Sequence, residues 1–130
     1  MAGETTGMIR IVLRLEGLVV LVAALFAYAK YGSGWGTFAW FFLTPDISFL
    51  GYLAGARVGA FSYNVAHSYI GAVACLISSL LIAAPILLTI GIIWCAHIGF
   101  DRALGYGLKY STGFRFTHLG RIGRSVEVAP

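Results

Sequence analysis

The sequence predicts an all-α integral membrane bundle of four transmembrane helices, and three observations carry that reading. Of 130 residues, 59% are hydrophobic and only 11% charged, against about 25% charged in ordinary soluble chains. Mean hydropathy is +0.87. The apolar residues also gather in runs of the ~20 residues that a membrane helix requires. In such a chain a net charge of +4 is not a nucleic-acid signal. Basic residues beside apolar spans set topology and meet anionic headgroups. The expected partner is the lipid bilayer, with a homo-oligomer or a larger membrane complex as further possibilities and no nucleic acid.

The first span covers residues 11–31 and ends at the Gly32-Ser33-Gly34 turn. Ala27-Tyr28-Ala29 imitates a signal-peptidase site, but the run is long for a signal and contains Glu16, so a retained span is expected. The second span, 36–56, carries Thr44-Pro45-Asp46 near its middle. Proline removes a backbone donor and disfavours helix at the preceding residue, which predicts a kink or break at Pro45. From 59 to 101 the chain is apolar for about two crossings. Ala83-Ala84-Pro85 divides it into spans near 60–82 and 85–105, joined tightly enough to form an antiparallel hairpin. The remainder, 109–130, is polar and basic and reads as a surface segment. The whole chain, 1–130, is then one transmembrane domain.

Charge orients the bundle. Arg10, Arg14, Arg57, Arg102, Lys109, Arg115, Arg121 and Arg124 fall at the N-terminus, the second connection or the C-terminus. Four spans put those regions on one side and leave Lys30 on the other. The positive-inside rule then makes both termini cytoplasmic. Tyr31, Trp35, Phe38 and Trp40 gather at the opposite interface, as an aromatic belt would.

Ionisable groups within apolar spans are expensive and mark function by default. The chain has five acidic residues, and Glu16, Asp46 and Asp101 lie within spans, as do His67 and His97. His97 and Asp101 are four apart and share a helix face. Measured from the basic residues at ~1.5 Å per residue, all five reach one layer in the cytoplasmic half of the bundle. Asp46, His67, His97 and Asp101 are the candidate metal ligands and Glu16 the candidate catalytic carboxylate. Mixed imidazole and carboxylate sites suit zinc, manganese or iron, and helix bundles build them from facing helices. Two other readings use the same residues: ion pairing with Arg14 and Arg102 that only fixes helix packing, or a proton relay.

Other features have plainer readings. Cys75 and Cys95 sit in apolar runs without metal-ligand spacing and are packing residues. Asn64, on the face of His67, either orients an imidazole or bonds across helices. Ser48 and Ser68 are packing or backbone-bonding residues. Gly51, Gly55 and Gly59 form a small-residue stripe suited to close helix contact. Gly105 and Gly107 suit the end of the last helix, and His118 is expected to be solvated.

"LRLEGL" at 13–18, "TPDISFLGYLAGARVGA" at 44–60, "YNVAHSY" at 63–69 and "HIGFDRALGYGLKYSTGF" at 97–114 resemble the domain of unknown function 4260 family, small bacterial membrane proteins. The likeness covers roughly residues 10–118 and implies a four-span protein in the bacterial inner membrane, with no established activity. A weaker likeness is to the YdjM-related membrane-bound metal-dependent hydrolases. These carry a Pro-Asp pair, a His-Ser pair and a late His with Asp four residues on. Pro45-Asp46, His67-Ser68 and His97 with Asp101 stand in that order here. Ser48 replaces a second aspartate frequent in that family, and one histidine precedes the serine instead of two. The functional expectation is a metal-dependent hydrolase of a lipid or amphiphile. The alternatives are a non-catalytic membrane protein or accessory subunit, and a proton-coupled carrier.

Overall fold

The computed structural model describes residues 3–123, so Arg124 lies outside the described residues. The chain is mostly helical. Five α-helices run in order, α1 (Gly7–Tyr31), α2 (Trp35–Phe41), α3 (Ala56–His67), α4 (Tyr69–Leu81) and α5 (Pro85–Leu104), with a 3-10 helix, Thr44–Ala54, between α2 and α3. A two-stranded antiparallel hairpin follows, β1 (Phe116–Thr117) and β2 (Gly120–Arg121). Among the described residues, three stretches are helical, long and apolar enough to cross a membrane: Gly7–Tyr31, Ala56–Leu81 and Pro85–Leu104.

α1 and α5 pack antiparallel, and glycines set how closely. A Cβ added at Gly17 would fall 2.9 Å from the Gly99 carbonyl oxygen, and one at Gly99 2.7 Å from that of Gly17. Small residues let two backbones approach where lipid supplies no hydrophobic drive between helices. The contact buries Ala24, Tyr28, Ile92, Ile93 and Ala96 as the core. At one end of the pair Arg14 bonds the Ala103 carbonyl, and at the other Ser33 and Thr89 share a hydrogen bond.

The second apolar stretch is not one helix. α2 ends at Phe41, Leu43 leaves helical geometry, and Pro45 opens an eleven-residue 3-10 helix. Runs of that length are uncommon. Gly55, at φ 111, turns the chain into α3 with no loop. Gly51 and Gly59 make the close contact expected of the glycine stripe, against Ser62 and the Tyr52 ring, whereas Gly55 is the joint. Tyr28, Trp35, Phe38 and Phe42 form a chain of ring contacts, 5.0–5.3 Å between centroids. Of the expected aromatic belt, Phe38 packs inward on Tyr28, whereas Tyr31, Trp35 and Trp40 stay exposed, Trp35 with its ring against Tyr28.

The next stretch departs from expectation too. A single helix over 60–82 is predicted, but helix begins at Ala56 and breaks at Ser68, which is extended (φ −85, ψ 146). The break is stable because its freed backbone groups find partners. The Ser68 hydroxyl accepts from the Ile70 N–H and caps α4. The Ala66 carbonyl accepts from Trp94 Nε1 at 2.5 Å and the His67 carbonyl from Arg102 at 3.0 Å. The last carbonyls of a helix otherwise lack partners, and in lipid that is prohibitive. α4 and α5 are joined at 82–84, where Ala83 takes a positive φ and Pro85 starts α5. Gly105, left-handed at φ 93, caps the other end.

The segment after α5 is folded rather than a loose surface tail. Lys109 bridges Thr117, and Asn64 clamps Lys109 by accepting from its N–H and donating to its carbonyl, at 2.6 and 2.8 Å. Asn64 therefore ties the tail to α3 instead of orienting an imidazole. His118, expected in solvent, accepts from the Leu108 N–H through Nδ1, and its carbonyl accepts from Thr5. Burial, with the Arg102 charge next, holds this imidazole below its usual range. That suits the acceptor role.

Candidate metal centre

Four side chains from three segments meet beside the two helix breaks. Asp46 stands in the first turn of the 3-10 helix and His67 is the last residue of α3. His97 and Asp101 lie one turn apart on α5. The breaks explain the convergence: a side chain beside a chain break can turn inward without the i, i+4 neighbours of an unbroken helix in its way. His67 and His97 are each 1% exposed, Asp101 14% and Asp46 35%. The imidazoles are therefore sealed and the site opens past Asp46.

The distances are those of a ligand set. His67 Nε2 and His97 Nε2 are 3.0 Å apart. Each lies 3.2 Å from Asp46 Oδ1 and 3.3 Å from Asp101 Oδ2. All four atoms fall within 4.8 Å of one another. A tetrahedral ion with bonds of about 2.0–2.1 Å places its ligand atoms about 3.3 Å apart, so five of the six edges match that spacing.

Hydrogen bonding around the set points inward as well. The Tyr63 carbonyl accepts at 2.9 Å from His67 Nδ1, which leaves the Nε2 lone pair facing the cluster. This outer bond is the kind that fixes the tautomer of a metal-binding histidine. The Tyr63 ring stacks on His67 at 3.8 Å, and Phe42 packs edge-on against His97 at 5.3 Å. His97 Nδ1 is buried with no partner in hydrogen-bond geometry, and the Phe42 carbonyl is its electrostatic neighbour. With its Nδ1 donating to the Tyr63 carbonyl, a neutral His67 turns its Nε2 lone pair towards His97 Nε2 and the two carboxylates. Such a group could hold a metal ion.

Other expected participants stand apart. Glu16, the candidate catalytic carboxylate, is not in the group; it lines a separate cavity with Tyr69, Arg102 and His118. Arg14 and Arg102 do not pair with the cluster. Among the described residues Arg14 bonds the Ala103 carbonyl, and Arg102 the carbonyls of His67 and Tyr106. Tyr63 and Trp94 escaped the sequence reading. Tyr63 stands four before His67, and that i, i+4 spacing was the available signal.

Lys109 closes the site from the tail side. It is 4% exposed, donates to the Phe114 carbonyl, and lies over the rings of Phe114 and Tyr63 at 3.7 and 4.5 Å. Burial pushes its ammonium down to about 8, against an opposing pull from Asp101. The unfolded chain keeps that proton to higher pH than the folded one. Stability should therefore rise as pH climbs from about 8 towards the ordinary lysine value. Thermal unfolding of wild type and Lys109→Met across that window checks this: the rise should be missing in the variant, and equal slopes would contradict it.

A family model described as domain of unknown function (DUF4260) matches residues 10–122. The chain belongs to the DUF4260 family. No curated protein and no solved structure matches it. All four members of the cluster fall inside the span that defines the DUF4260 domain.

Proposed function

We propose that this DUF4260 protein is a membrane-embedded metal protein, and that its metal centre serves hydrolysis of a lipid or amphiphile. One observation carries the reading: four potential ligand atoms meet within 4.8 Å of one another, five of their six separations at 3.0–3.3 Å, with the outer nitrogen of His67 already bonded to a backbone carbonyl. Two nitrogens and two oxygens favour zinc, ahead of manganese or iron, which prefer more ligands. The chemistry such an ion supplies is activation of water and polarisation of a carbonyl or phosphoryl oxygen. Asp46, the most exposed of the four and mounted on the 3-10 helix, is the ligand free to release the ion and take a proton. It assumes the role that Glu16 is too far displaced to play. The likeness to YdjM-related hydrolases supports the same chemistry.

The protein lies in the bacterial inner membrane with four passes and both termini cytoplasmic. In support, hydrogen bonds join the N-terminal segment to the tail, from Thr5 to His118 and from Tyr110 to Gly3. The second pass is α2 plus the 3-10 helix. At ~1.5 and ~2.0 Å per residue these add to about 32 Å, against a hydrocarbon core of about 30 Å.

A second reading is a purely structural ion. Four protein ligands form a closed set, as structural zinc sites do, and these four tie the 3-10 helix, α3 and α5 together. Turnover separates the two. Zinc-loaded protein in mixed micelles should release product from acyl or phosphoryl amphiphiles, and a chelator should stop it. A loaded protein inert towards every class would leave the structural ion.

A further inference from the structure

The cavity that holds Glu16 lies between α1, the start of α4, the end of α5 and the tail. It measures about 630 Å³, within the range of ligand pockets. Its polar lining is Glu16, Tyr69, Arg102 and His118, and the rest, Gly17 apart, is valine and leucine. Leu15 and Val19 are exposed, so the cavity opens sideways, where a spanning chain meets lipid. Both of its full charges lack a counterion. Among the described residues Glu16 has neither a hydrogen bond nor an ion pair, a costly state for a carboxylate in an apolar span. Arg102 gives Nη1 and Nη2 to the carbonyls of Tyr106 and His67 and meets no carboxylate at ion-pair distance. A guanidinium has five N–H donors, so others stay available. Neutral donors stand beside it. The Tyr69 hydroxyl is buried without a hydrogen-bond partner, and Arg102 and Glu16 are among its electrostatic neighbours. His118 accepts from the Leu108 N–H through Nδ1, so the neutral ring carries its proton on Nε2.

We propose that this cavity seats the headgroup of a phosphatidylethanolamine, its phosphate against Arg102, Tyr69 and His118 and its ammonium against Glu16. Charge complementarity selects that occupant. An anionic lipid would set a second negative charge against Glu16, and a cationic amphiphile would set a like charge against Arg102. A zwitterion neutralises both. The carboxylate also selects ethanolamine over choline, because a primary ammonium donates N–H bonds and a quaternary one has none to give. Quaternary ammonium is recognised by aromatic cages, and this cavity holds a single phenol ring. The depth fits a headgroup. Gly17 backs onto the Arg102 side chain, and Arg102 stands two residues before the end of α5. The polar groups therefore stand where the last span leaves the bilayer, on the side of both chain ends. Val19 and Val20 continue the cavity about one turn deeper, where the first acyl carbons would follow. The seat does not depend on the metal-centre reading, since none of the four cluster residues lines it.

The test titrates delipidated full-length protein in detergent with phosphatidylethanolamine, phosphatidylcholine and phosphatidylglycerol of identical acyl chains. Native mass spectrometry counts the lipids retained. Wild type should hold one phosphatidylethanolamine per chain, about tenfold tighter than either of the others, the worth of one charge-assisted hydrogen bond. Glu16→Gln keeps the shape of an exposed side chain, so its unfolding in lipid-free detergent should match wild type. It should lose the preference over phosphatidylcholine and bind phosphatidylglycerol more tightly, because the repelling carboxylate is gone. Tyr69→Phe should weaken phosphatidylethanolamine and phosphatidylglycerol alike, about tenfold, and serves if the first variant does not fold. Equal retention of all three lipids by wild type, the result expected of water bridging Glu16 to Arg102, would overturn the seat. So would several lipids per chain without preference, or a wild-type preference that survives both substitutions.

Discussion

His67→Ala is expected to lower zinc affinity by more than the roughly 10–100-fold that loss of a mere orienting partner produces. It removes one ligand and leaves Asp46 and Asp101 facing a single imidazole. His97→Ala should match it. The double variant should be little worse than either single one, because contacting groups that act as a unit are strongly non-additive. In the metal-free wild type the convergent acceptors hold no cation, so adding zinc should raise the melting temperature by mass action. Neither single variant should respond. Isothermal titration and thermal unfolding in detergent read both effects. Additive losses would instead mark four independent structural contacts.

Arg102→Leu should produce the largest loss of stability among polar substitutions outside the cluster. The arginine is 8% exposed and donates to the carbonyls of His67 and Tyr106. The buried His67 carbonyl, left without a donor, costs about 1–3 kcal/mol, and in lipid water cannot replace the donor. The loss should reach function as well. His67 is the last residue of α3, and Arg102 secures the carbonyl of that residue, so fraying there moves a ligand. Arg102→Lys should recover part of the stability, since one ammonium can reach one carbonyl but does not present the planar fork. Unfolding of Arg102→Leu within ~0.5 kcal/mol of wild type, the range of neutral surface changes, would contradict this role.

Much of the site was legible because intramembrane ionisable residues are rare. Asp46, His67, His97 and Asp101 stand out against their apolar surroundings, and helix rise alone brings them to one depth. Depth does not give rotation about the helix axis, and that is why Glu16 fell into the same layer yet points to a different cavity. Proline chemistry marked Pro45 as a helix breaker, but α2 ends earlier, at Phe41, and Pro45 lies in the first turn of the 3-10 helix that follows. The break at Ser68 was not legible, since nothing local in His67-Ser68-Tyr69 forbids helix. It depends on Trp94 and Arg102, some thirty residues away, bonding the carbonyls that it frees. The fold of the tail was hidden for a similar reason. Lys109 reads as a solvated basic residue until Tyr63 and Phe114 are seen to sandwich its ammonium.

The central claim is that the four convergent atoms hold a divalent ion, and metal content per chain tests it most directly. Protein purified without chelator, or stripped and dialysed against zinc, should carry one tightly held ion per chain, and His97→Ala and Asp101→Ala should carry almost none. Wild-type protein that folds, stays metal-free under zinc, manganese and iron(II) alike, and gains no thermal stability from any of them would contradict the account.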